Sequence, residues 1–257
     1  MTVRDFSFAA HARDFDQHIR DSIPGFDDLR AKCVGLSRQS IENGTVVIDI
    51  GCSTGALLRT IRDANQPSRP SVRYLGIDRE QSFGEHWRKW RTRNVGFRVC
   101  DARSFEGFEN LSFAYSLFTF GFIPERDRPD LLRRVHDGLN LGGLFIIAEK
   151  VFANSAYFQD ILTFDYYDFK RRSFSAEEIL DKERSLRGQM NRWTEAEWLN
   201  ALFEAGFQPE QVHPVWQNHL FIAWMARKEH VTKVGGHRPR EDKHCAPGRS
   251  SKKMKGV

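Results

Sequence analysis

Thr45-Val46-Val47-Ile48-Asp49-Ile50-Gly51-Cys52-Ser53-Thr54-Gly55 is a β-branched run that ends in a glycine-bearing turn. Asn43-Gly44 precedes it as a turn signal, so residues 45–50 read as a strand buried on both faces. The turn predicts a helix directly behind it, from about Ala56 to Ala64. Glycines let the backbone pass close to a ligand there, and a helix N-terminus adds N–H donors.

Outward from this turn the elements alternate. Strands are predicted over 72–77, 95–100, 111–118 and 143–149, with helices over 81–92 and 128–138 between them. This order implies a mostly parallel sheet with helices on both faces. Residues 154–191 are polar and helical in pattern, longer than a simple crossover, and read as an inserted helical segment. Thr194 and Glu197 form a capping box for a helix to Ala205, closed by Gly206. Residues 211–215 and 219–226 then read as two strands joined by Trp216-Gln217-Asn218 as a hairpin turn. Five strands finished by a hairpin give a seven-stranded α/β sheet of the class I methyltransferase (Rossmann-like) type.

The net charge of +5 is unevenly placed. Residues 228–257 hold nine Lys/Arg against three Asp/Glu, while the remainder holds 30 basic and 31 acidic residues. The chain thus reads as a domain over 1–227 and a basic, disordered tail. The tail could touch nucleic acid or an acidic partner by charge alone, but the body carries no such signal. No apolar run reaches membrane-spanning length and the N-terminus lacks an apolar leader, so a cytoplasmic protein is expected. Cys33, Cys52, Cys100 and Cys245 lack zinc or redox spacing, and the loosely spaced His230, His237, His244 and Cys245 do not define a metal site.

Asp78 ends the second predicted strand, and Asp101-Ala102 follows the third. A carboxylate at the first position can accept both hydroxyls of a ribose, and a short polar group at the second can meet an adenine amino group. Either acid alone is commonly structural. With Gly51, Cys52 and Ser53 they form an ordered set at consecutive strand ends, which points to a nucleoside-containing cofactor. Gly51-Cys52-Ser53-Thr54-Gly55 also matches the Gly-x-Ser-x-Gly turn of α/β-hydrolases, with Ser53 as nucleophile and His213 or His219 as base. That turn normally follows several strands and a glycine-rich oxyanion loop, and here it follows the first strand.

Leu139-Asn140-Leu141-Gly142-Gly143, Ala148-Glu149-Lys150, Asp168-Phe169-Lys170-Arg171 and Glu183-Arg184-Ser185, together with the turn and strand-end acids, resemble the carboxy-S-adenosylmethionine synthase family. The likeness runs roughly from Ile23 to Arg227. It implies conversion of S-adenosylmethionine and prephenate to carboxy-S-adenosylmethionine and phenylpyruvate, in the pathway that modifies the wobble uridine of tRNA. It further implies S-adenosylmethionine or its carboxylated form on Gly51, Cys52, Ser53, Asp78, Asp101 and Ala102, and a homodimer through the inserted helices. Arg184 matches the family's arginine for the new carboxylate, a role suited to a planar, permanently charged fork. Lys170, Arg171 and Arg172 would add charge for a dicarboxylic substrate. Without the resemblance these cations read as solvated helix faces, with Glu183 and Arg187 an i,i+4 ion pair. Two positions depart from the family: Phe26 stands where it has a tyrosine, and Ser116 is the nearest substitute for an asparagine at the end of the fourth strand. Methyl transfer to another acceptor, or a non-catalytic cofactor-binding module acting through the tail, are the alternative readings.

Overall fold

The computed structural model describes residues 14–229; the basic tail, with its histidines and Cys245, lies outside them. In chain order the elements are α1 (Phe15–Ser22), α2 (Phe26–Ser40), β1 (Val46–Ile50), α3 (Ala56–Asn65), β2 (Arg73–Asp78), α4 (Gly84–Arg88), β3 (Val95–Val99) and β4 (Leu111–Leu117). They continue with α5 (Arg128–Gly138), β5 (Leu139–Lys150), α6 (Ala156–Lys170), α7 (Ala176–Leu186), α8 (Glu195–Ala205), β6 (Val212–Asn218) and β7 (Phe221–Arg227).

The seven strands form one sheet in the order β3-β2-β1-β4-β5-β7-β6. β1 to β5 pair in parallel, while β7 runs antiparallel to both β5 and β6. The class I methyltransferase architecture expected from the sequence is therefore present. All five residues of β1 are buried, because helices cover both faces. Val46, Ile48 and Ile50 pack into the core shared with α5 and α8, and Val47 packs with α2, α3 and Trp87 of α4. Successive strands extend to opposite sides of β1, so a crevice opens at the carboxyl ends of β1 and β4.

Four local expectations are corrected. The hairpin turn is His219-Leu220, with Asn218 opposite Phe221; Trp216, Gln217 and Asn218 lie within β6. His219 takes the left-handed backbone (φ 49°), and a register shift between Pro214 and Trp216 absorbs the offset. β5 begins at Leu139 and not Gly143, because Leu139 pairs with Leu111 across a register shift in β4. The 81–92 helix shortens to a 3₁₀ turn and α4, since Thr92 already pairs with Val95 to start the next strand. Finally, α1 and α2 are absent from the sequence reading: α1 lines the crevice at the carboxyl end of the sheet, and α2 packs with α3 on one face, the two separated at Gly25 with φ 73°. The Thr194–Glu197 capping box of α8 is formed as expected.

Candidate functional site

A cavity of about 700 Å³ fills the crevice, within the range of nucleoside-sized ligand sites. Gly51, Cys52, Ser53, Asp78, Asp101, Ala102 and Phe26 all line it, so seven of the nine sequence candidates are brought together. Ser116 is not among them. Its hydroxyl is fully buried and donates to the Ile50 carbonyl at 3.0 Å, while its strand neighbours Tyr115 and Leu117 reach the cavity. Arg184 is not among them either: its side chain is 70% exposed and its guanidinium is paired with Asp181 at 2.8 Å. Neither side chain lines the cavity.

Four N–H donors of the turn after β1 are engaged internally. The N–H groups of Gly51 and Cys52 donate to the Ile77 carbonyl, that of Gly55 to Cys52, and that of Ser53 to Asp78 Oδ2 at 2.8 Å. Gly51 sits at φ 81°, and a Cβ there would lie 2.0 Å from Thr119 Oγ1, so the turn and the loop after β4 can meet only through glycine. A wall whose amides are engaged and whose free groups are carboxylates suits a cation bearing hydroxyls better than a pyrophosphate.

Three carboxylates supply that wall. Asp78 accepts from Ser53 N and from Glu80 N at 2.9 Å, which orients it; burial raises its pKa against these bonds. Asp49 interrupts the apolar β1 and accepts the Tyr115 hydroxyl at 2.8 Å. Burial pushes it up to about 8, despite that bond. Asp101 is different. Arg103 donates to both its oxygens, at 2.7 Å for the shortest contact, and holds its pKa below the ordinary carboxylate value. Arg103 in turn reaches Asp127 at 3.1 Å, so Asp101 offers the cavity a partly committed oxygen pair.

The far end of the cavity, past β5, is cationic. Lys150 ends β5, Lys170 ends α6 and Lys182 lies on α7; all three line the cavity, as does Glu183. Burial draws Lys150 down to about 8 and Lys182 to about 7, the second also repelled by Lys170. Among these three, the sequence assigns a substrate charge only to Lys170, and Lys150 enters only as part of the Ala148-Glu149-Lys150 motif. Asp49, a charge inside an apolar strand, was the legible signal it left unused, as was Glu149 beside Lys150.

Glu149 is fully buried, is pushed up to about 7 by burial, and accepts the N–H groups of Phe120 (2.7 Å) and Gly121 (3.0 Å). These shifts set a stability profile. Asp49 and Glu149 keep protons in the fold that the unfolded chain releases near pH 4, so stability falls as pH rises through about 7 to 8. Lys150 and Lys182 lose protons that the unfolded chain keeps to about 10.5, so their contribution rises with pH above about 7. Between pH 5 and 9 the Tm of ligand-free protein is expected to pass through a minimum near pH 7 to 8. A Tm that changes in one direction across that range would contradict these assignments, and Asp49→Asn should flatten the falling limb.

The hydrolase reading finds no support in this geometry. His219 is paired with Asp165 at 2.8 Å beside α6, His213 is exposed on β6, and neither lines the cavity that holds Ser53.

Comparison with known proteins agrees with the fold. Residues 47–143 match the family model described as a methyltransferase domain. The chain is 30% identical over 212 residues to carboxy-S-adenosyl-L-methionine synthase of Shewanella denitrificans, covering 80% of this chain and 86% of that protein. It is 30% identical over 228 residues to the synthase of Methylococcus capsulatus, covering 85% and 92%. Among solved structures, a TehB-like S-adenosylmethionine-dependent methyltransferase from Corynebacterium glutamicum aligns with a TM-score of 0.52 at 16% identity, over 86% of this chain and 99% of that one. That likeness concerns the fold alone.

Proposed function

Because the chain belongs to the carboxy-S-adenosyl-L-methionine synthase family, a group of S-adenosylmethionine-binding transferases, we propose that it carboxylates S-adenosylmethionine with prephenate as the carboxyl source. The observation that carries this reading is the division of one cavity into a carboxylate-rich end at Asp49 and Asp78 and a lysine-rich end at Lys150, Lys170 and Lys182. A cationic sulfonium nucleoside and an anionic dicarboxylate match those two ends.

S-adenosylmethionine supplies the sulfonium methyl carbon that gains the carboxyl group. Asp78, already fixed by two amides, has lone pairs left for the ribose hydroxyls. Burial favours the neutral form of Asp49 in the free protein, and a cation beside it would favour the charged form, with Tyr115 holding its orientation. Ala102 and Asp101 would flank the base. Phe26 faces the cavity from the start of α2 and lies 6.4 Å from the Phe118 ring, so it contributes an apolar wall where a tyrosine would add a hydroxyl. Phenylpyruvate formation that requires both prephenate and S-adenosylmethionine tests the reading. Phenylpyruvate at the same rate without S-adenosylmethionine would count against it, and methyl transfer to another acceptor would then be favoured.

The product class is one consumed in tRNA wobble-uridine modification, and we place the enzyme in the cytoplasm; no described helix is long and apolar enough to cross a membrane. We also propose a homodimer through the inserted helices. Tyr157, Phe158, Ile161 and Phe164 of α6 are 70%, 59%, 47% and 67% exposed, an apolar stripe of the kind that marks an interaction surface. A Phe158→Asp/Phe164→Asp double variant is expected to run as a monomer in light scattering where the wild type runs as a dimer. A monomeric wild type would refute the pairing.

A further inference from the structure

The lysine-rich end of the cavity is costly to build. Lys170 is 4% exposed and the Lys150 side chain 10% exposed, and a buried ammonium loses several kcal/mol of hydration unless an anion replaces water. The three lysines come from different elements, and the head groups of two of them meet over Tyr166: Lys150 Nζ lies 4.4 Å and Lys170 Nζ 5.6 Å from its ring centroid. Lys150 Nζ also lies over Phe221 and Lys170 Nζ over Phe174, so ring faces offset part of the cost of these two head groups. Ring contacts do not explain why Lys182 lines the same space.

Glu183 is the described carboxylate whose charge acts on all three, and it sits 3.6 Å from Lys150. Lys150 and Lys170 bring two buried ammonium groups to this one carboxylate, an excess of positive charge that an arriving anion would balance. The arginine that the family likeness assigns to carboxylate recognition points to solvent and is held by Asp181.

We infer that Lys150, Lys170 and Lys182 together form the recognition site for the two carboxylates of the carboxyl-donating substrate, leaving Arg184 outside that contact. This assignment rests on the dicarboxylate reading proposed above and names the residues that would read it. The depressed Lys182 fits the role: burial disfavours its charge in the free protein, and an arriving dianion favours it. A substrate with one carboxylate would satisfy only part of the cluster, so the site selects dianions over monoanions.

The test is calorimetric titration of the full chain with prephenate, with phenylpyruvate as the one-carboxylate comparison and S-adenosylhomocysteine as a control for the other end of the cavity. Lys150→Met, Lys170→Met and Lys182→Met are each expected to weaken prephenate about tenfold or more, the range of a lost charge-assisted hydrogen bond. Phenylpyruvate should weaken less, and S-adenosylhomocysteine should bind as in the wild type. Lys182→Arg, which keeps the charge, is expected to retain most of the affinity. Met variants that bind prephenate as well as the wild type would overturn the lysine assignment alone. Equal losses in Lys182→Arg and Lys182→Met would assign the effect to packing and overturn it too. A wild type that binds no prephenate would instead remove the substrate reading, and this assignment with it.

Discussion

An Asp78→Ala variant is expected to bind S-adenosylhomocysteine about a hundredfold or more weakly than the wild type, with the fold retained. Two hydroxyls bonded to one carboxylate are each worth about 1.5–3 kcal/mol when the acceptor is charged. The alanine also releases the amides of Ser53 and Glu80, which Asp78 now holds, and so loosens the turn that forms the cavity floor. Asp101→Ala is expected to cost about tenfold or less, because Arg103 already engages both oxygens of that carboxylate. Calorimetric titration of both variants checks the contrast. Equal losses at the two positions would mean that the pairing with Arg103 does not limit Asp101.

The second large effect concerns the loop after β4. Arg128, at the start of α5, has no exposed surface, stacks on Trp193 and Trp198, and donates to the carbonyls of Gly121, Ile123 and Asn191. Glu149 takes the amides of Phe120 and Gly121 in the same turn. One residue thus holds the carbonyl side of the loop and the other its N–H side, with opposite charges. Replacing Arg128 by Met leaves three carbonyls without this donor and removes the positive charge that acts on Glu149. Breaking one partner of a buried charge pair costs about 3–5 kcal/mol. For a chain of this size that corresponds to a Tm lowered by roughly 10 °C. Thermal unfolding of Arg128→Met measures it; a Tm within 2 °C of the wild type, roughly the shift of a single surface change, would contradict the clamp.

Much of the architecture was legible because it is local. The β-branched run before Gly51 and the acid ending each of the next two strands place Gly51, Asp78 and Asp101 at one sheet edge without any tertiary information. The failures are also physical. Ser116 and Tyr115 differ by one residue, and strand alternation turns one to the Ile50 carbonyl and the other to the cavity. Arg184 lies one position from Glu183, about 100° around α7, which is enough to turn it from the cavity to solvent. The lysine cluster joins the end of β5 to two inserted helices, a contact that no spacing in the chain encodes. α2 was missed because its buried face, Leu29, Cys33, Ser37 and Ser40, is half polar and gives a weak periodic signal.

The most direct measurement is mass spectrometry of the nucleoside recovered after purified protein is incubated with S-adenosylmethionine and prephenate. The account predicts a product heavier than S-adenosylmethionine by one carboxyl group, formed together with phenylpyruvate. Recovery of S-adenosylmethionine unchanged, or only of its demethylated form, would contradict carboxyl transfer as the function of this cavity.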